Sequence, residues 1–148
     1  MRGPDRGQII GTIDYDEFER FYRINVQGPV KVSEAFYPHV RQSDAKTMVV
    51  LTTGKGEKGI PFPGFTLYKT SKAAMDAMQK EIALRWERQG VKAVTLLPGR
   101  VLTRGEDPAR NPNAVDVDVS VAGMIEFIDD LTMEQSGHTY QWDGEFIE

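Results

Sequence analysis

Apolar residues recur along this chain with two different periods, and the places where the period changes divide it into elements. Between Asp16 and Val40, the residues Phe18, Phe21, Tyr22, Val26, Val30 and Val32 share one helical face, which predicts a long first helix. Asp14, followed three residues later by Glu17, has the spacing of a capping box at its start. Pro29 lies inside the same stretch and has no N–H for the carbonyl of Asn25, four residues earlier. That carbonyl is therefore expected to stay open and the helix to kink. Thr47 to Thr53 is nearly continuous in apolar and β-branched residues and stops at Gly54, the pattern of a parallel strand covered on both faces.

A second long helix is predicted from Thr66 to Arg88, where Ala73, Ala74, Ala77, Met78, Ile82, Leu84 and Trp86 follow without a breaker and Gly90 supplies the stop. Val91 to Leu97 reads as a second buried strand halted by Pro98 and Gly99. Val119 to Leu131 reads as a third helix with Val121, Met124, Ile125 and Ile128 inward, and His138 to Trp142 as a short last strand. The order α-β-α-β-α-β implies parallel strands joined by right-handed crossovers, with helices on both sheet faces. The expected fold is α/β.

Composition narrows the picture further. A chain of 148 residues suits one domain, here with an irregular segment over residues 1–13. A net charge of −4 argues against binding nucleic acid through its phosphates. With no cysteine there is no disulfide, thiolate nucleophile or thiolate metal site, and His138 and Asp143 read as packing and turn residues, so no metal is expected. No apolar run has the roughly 18 to 20 residues of a membrane span, and the opening residues lack an apolar leader core, which makes a cytoplasmic location the expectation. The most loop-like stretches, 54–64 and 104–113, are placed to border a site.

Candidate chemistry sits at the start of the second helix. In Tyr68-Lys-Thr-Ser-Lys72 the phenol and the second lysine stand at i and i+4, on one helix face, where an ammonium favours the phenolate form and so suits the pair to acid/base work. The same spacing alone describes an amphipathic surface pair equally well. Four further segments occur with it in a fixed order: Asn25-Val-Gln-Gly28, Thr52-Thr53 at a strand end, Pro98-Gly99-Arg-Val-Leu-Thr103, and Ser136-Gly137 with Asp143-Gly144.

Together these resemble the short-chain dehydrogenase/reductase family from about residue 14 onward, with the carbonyl-reductase-like branch nearest. The resemblance implies a partial Rossmann-like, doubly wound parallel sheet of about three strands with three main helices. It implies hydride transfer between NAD or NADP and a small carbonyl or alcohol substrate. Tyr68 would be the acid/base, Lys72 would ease its ionisation and touch the nicotinamide ribose, Thr53 would orient the substrate oxygen, and Asn25 would hold a water in a relay to Lys72. Pro98, Gly99, Val101 and Thr103 would meet the nicotinamide carboxamide. At Thr53 the family carries Ser with a shorter loop to the Tyr, which leaves Thr52 or Lys55 as alternatives.

The same resemblance calls for an N-terminal strand and glycine-rich turn for the pyrophosphate, and none precedes Tyr15. Gly54-x-Gly56-x-x-Gly59 matches that motif literally but leads to Tyr68, and reads as a substrate-side loop. The expectation is a truncated domain, inactive by itself, with NAD or NADP left open. It would be completed by self-association through its two long helices or by a separate N-terminal fragment. The alternative is a non-catalytic remnant acting as an oligomerising interaction module. A hydrolase is disfavoured, because no Ser and His stand at a recognised spacing.

Overall fold

Asp14 opens the first helix, α1 (Tyr15–Tyr22), its carboxylate accepting from the N–H groups of Asp16 at 3.0 Å and Glu17 at 3.2 Å. The capping box is not closed; Glu17 instead pairs with Arg20 at 3.1 Å. In this computed structural model, which describes residues 10–53, 65–102, 109 and 112–147, the helix does not simply kink at Pro29. It widens into a π-helical turn, Arg23–Gln27, closed by the Gly28 N–H on the Arg23 carbonyl, and Pro29 then occupies the first turn of α2 (Gly28–Gln42). The physical reason is local. A residue without an N–H is harmless in a first turn, so the wider turn before it absorbs the defect that the sequence pattern placed mid-helix.

The remaining elements are β1 (Thr47–Leu51), α3 (Thr66–Trp86), β2 (Lys92–Leu97), α4 (Val117–Asp129) and β3 (Thr139–Gln141). A short 3₁₀ turn, Glu87–Gln89, follows α3 and ends at Gly90, whose φ of 72° confirms it as the stop. The three strands are parallel in the order β1-β2-β3, with Val49 opposite Val94 and Leu96 opposite Tyr140.

Side chains alternate across this sheet, and each face has its own helices. Met48, Val50 and Ala93 point to α3 and α2, where they meet Met75, Ile82 and Trp86; Tyr37 of α2 stacks on Trp86 with ring centroids 4.4 Å apart. Gln79 crosses from α3 to the strand backbones, its Nε2 donating to the carbonyls of Val94 at 3.2 Å and Met48 at 3.4 Å. On the opposite face Tyr140 packs against Phe127 of α4 at 4.8 Å. Helices on both faces of a parallel sheet make this a doubly wound α/β arrangement.

The inward stripe of the third predicted helix is corrected by the structure. Val121 and Ile125 are exposed, while Met124 and Ile128 are half-buried. Gly123 and Phe127 make the contact instead, Gly123 lying hard against Trp142 and Phe127 against Tyr140 and Gly144. Apolar residues surround α4, so periodicity could not select the buried side. Phe18, Val32, Ala73, Ala77, Met78 and Leu84, which the sequence pattern also counted as apolar face, are exposed as well. Among the described residues, no helix is long and apolar enough to cross a membrane.

Candidate functional site

The carboxyl ends of β1 and β2 lie side by side, as parallel pairing requires, and three of the singled-out side chains gather there around the first turns of α3. Tyr68 and Lys72 occupy successive turns of one face, and the Lys72 ammonium stands 6.0 Å from the Tyr68 ring centroid. Its Nζ donates to the Leu51 carbonyl at 3.1 Å, which ties the helix to the end of β1. Burial lowers the Lys72 pKa from the usual lysine value, and the carboxylate of Asp76 acts in the opposite direction.

Asn25 arrives from the π-helical turn. Its Nδ2 donates to Ser71 Oγ at 3.0 Å, and the Ser71 hydroxyl donates to the Tyr68 carbonyl at 2.8 Å. The widened turn therefore brings Asn25 into the same network as the Tyr68–Lys72 pair. Sequence reasoning gave Ser71 no role; its signal was only a small hydroxyl residue between Tyr68 and Lys72 in the same helical turn.

Phe21 of α1 meets the Tyr68 ring edge-on at 6.5 Å. Glu17, Arg20, Phe21, Ile24, Asn25 and Tyr68 together line a cavity of about 210 Å³. Its wall is mostly apolar, with a carboxylate and guanidinium at one side and an amide and phenol at the other. That arrangement suits a small neutral molecule with one polar end.

The two threonines at the end of β1 differ sharply. Thr52 is buried, its N–H bonded to the Leu96 carbonyl at 2.9 Å, and its hydroxyl has no hydrogen-bond partner among the described residues. Thr53, on the opposite side of the strand, is half-buried and lies two residues beyond the carbonyl that holds Lys72. Lys55 lies outside the described residues, as do the loop 54–64 with its glycine motif and Thr103.

Pro98, Gly99 and Val101 form a separate, firmly held turn at the end of β2. Ser120 Oγ donates to the Pro98 carbonyl at 2.7 Å, and Val101 bridges to Val115. Gly99 has a φ of 77°, and a Cβ there would stand 3.1 Å from Trp142, so both conformation and space call for glycine. Neither Ser120 nor Trp142 was singled out from the sequence, since both act through contacts between distant segments. Among the described residues no group of three His, Asp or Glu side chains could hold a metal ion.

The family model described as short chain dehydrogenase matches residues 3–114. C-signal of Myxococcus xanthus is 31% identical, over 91% of this chain and 80% of its own length. An uncharacterised oxidoreductase of Schizosaccharomyces pombe is 29% identical over 95% of this chain, which spans 61% of that relative. In fold, the chain is similar to the crystal structure of NADPH-bound carbonyl reductase from chicken fatty liver, with a TM-score of 0.81 at 23% identity, covering 99% of this chain and 62% of the other.

Proposed function

We propose, on the premise that this chain belongs to the short chain dehydrogenase family, that it carries the acid/base site of a nicotinamide-dependent oxidoreductase acting on a small carbonyl compound and its alcohol. The observation that carries this reading is the meeting of Tyr68, Lys72 and Asn25 at the carboxyl end of the sheet, where Tyr68 and Asn25 line one cavity.

In the reducing direction Tyr68 Oη gives its proton to the substrate oxygen, and the Lys72 ammonium stabilises the phenolate left behind. Thr53 is the better of the two threonines to donate to that oxygen, because Thr52 is closed off from the cleft. Asn25, fixed by Ser71, lines the cavity where a water would link it to Lys72 for proton return. In the oxidising direction the same groups act in reverse.

The residues present fit the nicotinamide end of the cofactor. Lys72 offers a half-buried cation to the ribose hydroxyls, and the turn formed by Pro98, Gly99 and Val101 offers backbone and side-chain contacts to the carboxamide. Bound there, NADH or NADPH would supply the hydride in the reducing direction, and NAD or NADP would accept it in the oxidising direction. Among the described residues, the side-chain-capped helix starts do not offer a cradle for the pyrophosphate. Carboxylates of Asp14 and Asp116 already cap α1 and α4, and each would repel an anion. This favours a single Rossmann-like domain that needs an assembly, or a further N-terminal segment, to bind the cofactor well. Self-association through the two long helices is the version we favour, because Val32 and Phe36, one turn apart on α2, are 57% and 58% exposed.

The test is binding and turnover of NADH and NADPH with small aldehydes and ketones. Tyr68→Phe is expected to lower turnover by about 10²- to 10⁴-fold and to leave cofactor affinity unchanged. The second reading, an oligomerising module without catalysis, draws on the same exposed α2 residues; it predicts assembly with no binding of either cofactor and no effect of Tyr68→Phe.

A further inference from the structure

Eight residues of α3 are buried, and Asp76 is the one ionisable group among them, at 1% exposure. A carboxylate buried on a helix face is strongly disfavoured unless a cation answers it. Lys72 is one turn earlier on the same face, half-buried, and fixed to the Leu51 carbonyl. That carbonyl neutralises no charge. We propose that Asp76 is a positioning residue for the Tyr68–Lys72 pair: its buried carboxylate, one turn further along the same face, keeps the Lys72 ammonium charged where it is bonded to the end of β1. The role in catalysis rests on the reading of Tyr68 and Lys72 given above, whereas the influence of Asp76 on Lys72 does not.

Burial and Asp76 act on Lys72 in opposite directions, as this arrangement requires. Among the described residues, the other charged and titratable groups on the elements packed around Lys72 are these, with Lys92 of β2 engaged by the Leu131 carbonyl. On α3 they are Tyr68 and Lys69, with Lys80 one turn beyond Asp76. Glu17 and Arg20 of α1 line the cavity next to Tyr68 and are paired with each other, and Arg23 of the π-helical turn is engaged by Glu19. β1 contributes no ionisable side chain. Among the described residues, Asp76 is thus the acidic group set against Lys72 from within the fold, and Lys80 is the competitor for it that a control must address.

The experiment follows the Lys72 side-chain Cε carbon by NMR as pH is raised, with Lys72→Arg to assign the signal. Asp76→Asn is expected to lower the Lys72 midpoint by about one pH unit or more, because burial remains while the counter-charge is lost. Asp76→Glu should restore the midpoint, and Lys80→Gln should leave it unchanged. In the unaltered chain, which guards against a variant that fails to fold, the Asp76 carboxyl carbon should shift in step with Lys72. An unmoved Lys72 midpoint in Asp76→Asn, or an Asp76 signal that ignores Lys72, would overturn the proposal. These titrations need no turnover, so they can fail while Tyr68→Phe still abolishes the reaction, or succeed while it does not. In the form that turns over, Asp76→Asn should move the alkaline limb of the pH profile to lower pH by the same interval as the NMR midpoint. A uniform loss of rate with the limb in place would mark Asp76 as merely structural and overturn the positioning role.

Discussion

At the scale of single residues, half-buried Lys72 and buried Tyr140 should make stability respond to alkali in opposite senses. Burial lowers the Lys72 pKa from 10.5. Folding disfavours its charged form, so this group's contribution to stability rises with pH between the lowered value and 10.5. Burial raises the Tyr140 pKa from 10.0. Folding favours its neutral form, so stability is lost as pH climbs past 10.0 toward the raised value. Urea unfolding from neutral pH to about pH 11 should show Lys72→Met without the rise and Tyr140→Phe without the loss. Tyr68 and Lys72 were legible because their spacing and chemistry are local. Asp76 was not, since an acidic residue on a helix is ordinarily solvated and only packing reveals its burial.

At the scale of elements, the turn before Pro29 and the contact under α4 are the places where close packing has the most to say. Pro29→Ala would restore an N–H four residues after Asn25 and let the π-helical turn close into ordinary α-helix. One residue removed from a turn rotates the preceding helix by about 100°, enough to carry Asn25 off Ser71. The expected result is unchanged or higher thermal stability, a shifted Asn25 side-chain amide signal and slower turnover. A variant with the amide signal and rate of the parent would show that Pro29 does not hold the turn. Gly123 and Gly28 form a useful contrast. A Cβ on Gly123 would lie 2.7 Å from both the ring and the backbone oxygen of Trp142, so Gly123→Ala should destabilise by about 1 to 3 kcal/mol. A Cβ on Gly28 meets only the Arg23 carbonyl at 3.6 Å, and Gly28→Ala should be neutral or stabilising by up to about 1 kcal/mol in urea unfolding.

At the scale of the whole molecule, the sheet is covered unevenly. The α2 and α3 side buries Met48, Val50 and Ala93, whereas on the other side α4 reaches the β2 and β3 end and leaves Leu51 of β1 47% exposed. Val32 and Phe36 add a second exposed apolar strip on α2. Light scattering after gel filtration should therefore find an assembly at micromolar concentration, and Val32→Glu with Phe36→Glu should return a monomer with an intact circular dichroism spectrum. A parent chain that is already monomeric would remove self-association as the means of completing the cofactor site.

The alternation of helical and strand periods by itself determined the α/β order, the parallel sheet and the rough limits of each element, because these follow from backbone geometry and from which residues avoid water. It also placed Tyr68, Lys72 and the strand-end turns at one end of the sheet, since parallel strands put all their carboxyl ends together. Only the tertiary structure decided which side of α4 is buried, because that helix is apolar all round and its orientation follows from the fit of Gly123 to Trp142. It likewise buried Thr52 while leaving Thr53 half-buried, and made a π-helical turn in place of a kink at Asn25. Those outcomes depend on contacts between segments far apart in the chain, and no local pattern encodes them.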